Sequence, residues 1–130
     1  MPTEPAPALP KNFLRPCLLL LLRENRAHGY ELLEQVQSLG FDRSDPGGLY
    51  RTLRGLEREK LVRSVWEPSE QGPDRRIYEI TRSGMQELHG AAKAISRGEQ
   101  AIASFRSRYE EFVALDAKSA APRRTTAGSR

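Results

Sequence analysis

The apolar positions change period several times along the chain, and each change marks an element. Residues 1–11 carry four prolines in their first ten positions, which prevents helix and supplies no core, so they read as a flexible arm. Leu18 to Leu22 is an unbroken apolar run. With Pro16 in the first turn, where a missing N–H costs nothing, it predicts a buried first helix ending near Glu24 or Asn25. After His28-Gly29-Tyr30, the residues Leu32, Leu33, Val36 and Leu39 recur at helical spacing up to Gly40, a glycine placed as a helix stop. Ser44-Asp45-Pro46 predicts the next start, with Ser44 or Asp45 capping and Pro46 at the first helical position. The third helix then covers Gly47 to about Lys60. Leu49, Leu53 and Leu56 point to its core side, and Tyr50, Arg51, Arg54 and Arg58 lie largely opposite.

From Leu61 the period drops to two: Leu61, Arg63 and Val65 alternate with Val62, Ser64 and Trp66. Pro68 to Asp74 reads as a loop, and Arg76 to Ile80 as a second strand that closes a hairpin. Thr81 is placed to cap a fourth helix, which carries Met85, Leu88, Ala92, Ile95, Ile102, Phe105, Tyr109, Phe112 and Val113 at near-heptad spacing, interrupted by Glu99. Reaching about Leu115, it would span roughly 45 Å. An apolar stripe of that length needs a partner surface.

Three helices followed by a two-stranded hairpin is the order of a winged helix-turn-helix. The expected fold is therefore mainly α. It comprises an arm (1–11), a winged helix-turn-helix with a β-wing (12–82), a long dimerisation helix (83–115) and a disordered basic tail (116–130).

Composition changes this picture little. The net charge of +4 invites a nucleic-acid partner, yet the tail from Asp116 onward holds Lys118, Arg123, Arg124 and Arg130 against one acid, leaving the body near +1. Bulk charge thus says little, and what matters for a nucleic-acid partner is where particular arginines lie. The longest apolar run, Cys17 to Leu22, is far short of the roughly 20 residues of a membrane span. The Pro- and Ala-rich start lacks the pattern of a secretory signal, so the expectation is a cytoplasmic protein with no membrane partner. Cys17, the one cysteine, sits in the apolar run and reads as a small buried hydrophobe. One cysteine and two histidines without ligand spacing give no metal site and call for no cofactor. No Ser-His-Asp or Cys-His set and no phosphate-binding glycine loop is present, which argues against an enzyme.

The candidate chemistry lies in the third helix and the hairpin. Arg51 and Arg54 near the start of a reading helix can each donate two hydrogen bonds to a guanine edge, and Tyr50 lies beside them. Gly47 and Gly48 leave the first turn bare, so its backbone N–H groups can approach a phosphate. Arg75 and Arg76, just past Gly72-Pro73, suit phosphate contact; alternating along a strand they should face opposite ways, so one should grip better than the other. Tyr30 is open between core packing and contact with the DNA backbone. His28 is open between closing its turn and touching a phosphate. Trp66 is either the packing anchor between wing and body or part of a ligand pocket. The partners expected are double-stranded operator DNA and a second copy of the chain. A winged helix can also serve as a protein-interaction module without operator binding.

The stretch from Leu14 to Gly84, with HGYELLEQV, DPGGLYRTLRGLEREKLV and GPDRRIYEITRSG in that order, resembles the PadR family of bacterial transcriptional regulators. NFLRPCLLLLL and GLYRTLRGLE are most similar to its branch of polyhydroxybutyrate-responsive repressors. The resemblance implies a homodimeric winged-helix repressor of the subgroup with a single C-terminal helix. That helix would pack on the partner's N-terminal helix, placing Leu18 with Leu88, Ile95, Ile102, Phe105, Tyr109 and Phe112 in the dimer contact. It also implies that Tyr30, Tyr50 and Arg51 lie near DNA or brace the reading helix. Some members bind planar or amphipathic effectors between the dimer helices, which makes Trp66, Phe105 and Tyr109 candidates for a small-molecule effector pocket.

Overall fold

The computed structural model describes residues 9–41 and 45–120. It divides into two compact units, Met1–Ala92 and Lys93–Arg130. In the first, helix α1 (Leu14–Glu24) buries Cys17, Leu18, Leu19, Leu21 and Leu22. A short strand β1 (Ala27–His28) leads into α2 (Gly29–Gln35), which tightens into a 3-10 turn over Val36–Leu39. Gly40 ends that turn in the left-handed conformation (φ 96°), where a residue with a Cβ would be strained. Helix α3 spans Pro46–Arg58 and is followed by β2 (Val62–Glu67), β3 (Arg75–Ile80) and α4 (Arg82–Ala120).

Helix α3 begins as its sequence requires. The Asp45 carboxylate accepts the Gly48 N–H at 3.1 Å, and Pro46 occupies the first position. The chain leaves the helix through Lys60 in the left-handed region (φ 63°), and the Leu61 N–H closes on the Leu56 carbonyl at 2.9 Å. Leu61 is thereby turned into the core. Thr81 then joins α4 to the body. Its hydroxyl accepts the Gly84 N–H at 3.0 Å and reaches the Lys60 carbonyl at 2.8 Å. Gly84 packs so closely on the Leu61 carbonyl that a Cβ there would collide with backbone.

One core serves the first unit. Leu18, Leu19 and Leu32 from the first two helices meet Leu53 and Leu56 of α3, all fully buried, and Val62 and Tyr78 close it from the sheet. Leu88 of α4 packs at its edge. Burial pushes the Cys17 thiol up to about 11, so at neutral pH it is a protonated, inert core group.

Three features differ from the sequence expectation. The sheet has three strands in the order β1-β3-β2, because Ala27 and His28 pair antiparallel with Tyr78 and Ile77. Two residues carry no alternation, so no period marked them. Helix α4 continues to Ala120, taking in residues 116–120 assigned above to the tail. Leu115 to Ala120 contains neither glycine nor proline, and nothing there stops a helix. At 39 residues α4 is about 58 Å long. Leu18, placed above in a dimer contact, is fully buried in its own chain's core and offers no surface; Leu20, on the other side of α1, is the exposed leucine there. The arm up to residue 8, Ser44, and the tail beyond Ala120 lie outside the described residues.

Candidate nucleic-acid interface

Helix α3 buries Leu49, Leu53 and Leu56 and turns the opposite face to solvent. At 3.6 residues per turn Arg51, Arg54 and Arg58 fall on that outer face, and all three are exposed. Among the described residues none of the three guanidiniums makes a hydrogen bond or an ion pair. Arg15, by contrast, is paired. It donates to both oxygens of Glu59 at 2.9 and 3.1 Å and lies 3.6 Å from Glu87, which raises its pKa and lowers that of Glu59. Three arginines without a hydrogen bond or ion pair, Arg58 with Glu59 as its charged neighbour, make this face cationic. Arg58 belongs to this set, and its spacing of four and seven residues from Arg54 and Arg51 was the available signal.

Beside that face the wing, the start of α2 and α3 enclose a cavity of about 360 Å³. The rings of Tyr30, Tyr50 and Trp66 and the guanidiniums of Arg54, Arg75 and Arg76 line it. The structure thus gathers six residues from four elements into one cationic, aromatic recess. Tyr50 is half-buried, and a Cβ on Gly29 would run into its ring, so Tyr50 also braces α2 against α3. Tyr30 is half-exposed, and its hydroxyl accepts from Arg75 Nη1 at 3.1 Å. Arg76 stacks over Trp66, 5.4 Å from the ring centroid, with Glu57 at 3.9 Å. Although neighbouring strand residues start on opposite faces, both long wing arginines reach the recess.

Two expectations change. The Gly48 N–H is held by the Asp45 carboxylate, which fills the place a phosphate would take and repels a second anion. Gly47 keeps its exposed position. Trp66 is 63% exposed, so it does not anchor the wing in the core; that role falls to Val62, Ile77 and Tyr78.

His28, for which the sequence left a turn-closing or a phosphate-touching role, closes the turn. Its backbone N–H donates to Glu31 Oε1 at 2.8 Å, capping α2, and holds the Glu31 carboxyl below the usual carboxylate range. Its ring stacks on Tyr30 at 5.3 Å and meets Glu67 of the wing, a residue 39 positions away that no local pattern could associate with it. Across the sheet Glu79 accepts from Arg26 at 3.1 Å and Arg63 at 2.9 Å, and its carboxyl is likewise held low.

The second unit is a separate matter. Ile102, Phe105, Tyr109 and Phe112 are 56–70% exposed, and Phe105 and Tyr109 stack one helical turn apart with centroids at 6.3 Å. Trp66 lies in the first unit, and Phe105 and Tyr109 lie in the second. Ile95 is half-buried. Among the described residues no cluster could hold a metal ion, and no helix is long and apolar enough to cross a membrane.

Comparison with known proteins places this geometry. The sequence model of the transcriptional regulator PadR-like family matches residues 18–90. A PadR-like transcriptional regulator from Bacillus cereus is 26% identical and superposes with a TM-score of 0.65 over 73% of this chain and 92% of that one. A PadR family transcriptional regulator from Eggerthella lenta is 25% identical, with a TM-score of 0.63 over 71% and 80%. The PadR protein of Bacillus subtilis, solved in complex with operator DNA, is 27% identical, with a TM-score of 0.57 over 65% of this chain and 48% of its own. No curated protein matches the chain.

Proposed function

Because the chain belongs to the PadR-like family of transcriptional regulators, we propose that it represses its target genes as a homodimer whose α3 helices read operator DNA. It is a regulator and not an enzyme, as its family is. The observation that carries the reading is the set of three unpaired arginines, Arg51, Arg54 and Arg58, on the outer face of α3. A helix fits the major groove, and arginine is the side chain best matched to guanine O6 and N7. Arg75, Arg76 and Tyr30 take the flanking phosphates, which fix register without reading sequence. The B. subtilis relative bound to operator DNA supports the same partner here.

The exposed apolar stripe of α4, with Ile102, Phe105, Tyr109 and Phe112, meets a second copy. An uncovered stripe of that size on a lone helix is what association removes from water. A small-molecule effector acts by favouring one geometry of the paired helices, since only differential binding shifts such an equilibrium. Phe105 and Tyr109 offer it a stacked aromatic surface. The protein works in the cytoplasm, where its DNA is.

The test is selection of fragments from host genomic DNA by the purified protein and by its Arg51→Ala variant. The wild type enriches a two-fold-related motif, and the variant loses or blurs one position in each half. A folded dimer that enriches nothing at low salt would refute the reading and favour a protein-interaction module.

A further inference from the structure

The His28 ring is held from both sides by acids of different elements. Nδ1 lies 2.9 Å from Glu31 Oε1 on α2, and Nε2 lies 2.9 Å from Glu67 Oε1 on β2. The side chain is largely buried, at 13% exposure. Among the described residues the ring is the one hydrogen-bond partner of the Glu67 carboxylate. On one side the contact ties the wing to the cap of α2. On the other the ring stacks on Tyr30, whose hydroxyl holds Arg75. Glu67 and Arg75 are themselves paired across the hairpin. One imidazole therefore touches both ends of the linkage that sets where the wing arginines stand.

We propose that His28 is a positioning residue for DNA binding: a clasp between α2 and the wing that is closed when its ring is protonated. The reason is a count of donors. Neutral imidazole has a single N–H, whereas the cation has two. With both ring nitrogens facing carboxylate oxygens, only the cation donates on both sides. As pH rises the ring gives one proton to solvent, and one nitrogen then turns a lone pair toward an acid. Glu31 stays in place, because its Oε1 also accepts the His28 backbone N–H at 2.8 Å. Glu67 has no such second tether, so the wing is the side released.

The other charged or titratable groups that line the same recess as the ring are Arg54 of α3, Arg75, Arg76 and Tyr78 of β3, and Tyr30 and Tyr50. Because the closed clasp is the form that sets the wing arginines for DNA, DNA and the proton reinforce each other by linkage. Histidine is the side chain suited to such a linkage between pH 5 and 8. The inference about DNA rests on the reading above; the clasp itself does not.

Trp66 is the chain's one tryptophan and adjoins Glu67, so its emission reports the wing without any DNA. The experiment follows that emission from pH 5.5 to 8.5 at constant ionic strength, for the wild type, His28→Gln and Glu67→Gln. It then measures affinity for the genomic fragments that the wild type enriches, over the same range. The wild type is expected to show a single-proton change in emission. Its DNA affinity should weaken by roughly three- to tenfold toward high pH, a fraction of the worth of one charge-assisted hydrogen bond. Both responses should flatten in the two variants. Glu67→Gln keeps an acceptor on an exposed strand and leaves the α2 cap untouched, so its folding is not at stake.

A wild type with no emission change, or a Glu67→Gln variant that keeps it, overturns the clasp. An emission change that both variants lose, joined to a DNA affinity whose pH dependence they share with the wild type, shows a clasp that does not position the interface and overturns that role. If the wild type enriches no fragments yet its emission titrates as described, the clasp stands and the DNA reading falls.

Discussion

Leu18 and Phe105 are both large apolar side chains on helices, yet the first is fully buried and the second is 70% exposed. The contrast extends to the units that hold them. In the first, the apolar faces of α1, α2 and α3 close on one another and on the sheet, so they are covered within the chain. In the second, the described apolar residues beyond Ile95 are exposed, from Ile102 to Leu115. A single chain satisfies the one and leaves the other open. Stability and assembly should therefore respond to different residues.

The widest separation should come from paired truncations. Leu53→Ala removes a fully buried side chain from the middle of the core and should cost about 2–5 kcal/mol in urea unfolding. Phe105→Ser should leave the unfolding of the first unit unchanged while shifting the mass measured by light scattering toward the monomer. If Phe105→Ser destabilised the first unit as Leu53→Ala does, the contrast would collapse. Gly84→Ala comes next: its methyl would meet the Leu61 carbonyl, a backbone atom that cannot swing away, at about 1–3 kcal/mol.

A smaller split is expected within the DNA surface. Arg51→Ala or Arg58→Ala should cost about 1–3 kcal/mol and relax preference at one position of each half-site, whereas Arg75→Ala should weaken every sequence alike. Equal losses on all sequences from all three would erase the distinction between reading helix and wing.

The acid limb of stability sharpens the electrostatic side of the same picture. Glu31, Glu59 and Glu79 are all held below the ordinary carboxylate pKa by donors in the folded chain, first among them the His28 N–H, Arg15 and Arg26 respectively. A depressed folded pKa means that the stabilisation is fully present above the unfolded value, about 4.3. It is lost as pH falls through the lower folded values. The urea midpoint should drop below that pH, and less steeply in Glu79→Gln. The smallest effect belongs to Lys60, which stands in the left-handed region without being glycine. Lys60→Gly should stabilise by up to about 1 kcal/mol, with no change in DNA binding.

Local patterns in the sequence carried much of this architecture. Asp45-Pro46 and Gly40 mark a helix start and a stop through their own backbone chemistry, and Leu49, Leu53 and Leu56 show a buried face by spacing alone. What escaped depends on partners distant in sequence. Ala27-His28 becomes a strand only because Tyr78 and Ile77 lie alongside it. Gly48 is the local exception: its N–H goes to Asp45, three residues before it, a cap that competes with any phosphate. Trp66, large and apolar, suggested a buried anchor, but its place opposite Arg76 on the wing leaves it stacked and exposed. The His28–Glu67 contact had no local trace at all. Leu18 is instructive in another way: a role carried over from relatives gave way to the plain fact that its own core already surrounds it.

In the proposed dimer two outer α3 faces, held together through α4, read DNA. Hydroxyl-radical footprinting of an enriched genomic fragment tests this most directly. Two protected patches related by two-fold symmetry are expected, centred about one helical turn, roughly 34 Å, apart or a multiple of that, with Arg51→Ala weakening both together. A single unpaired patch, or protection that Arg51→Ala leaves untouched, would contradict it.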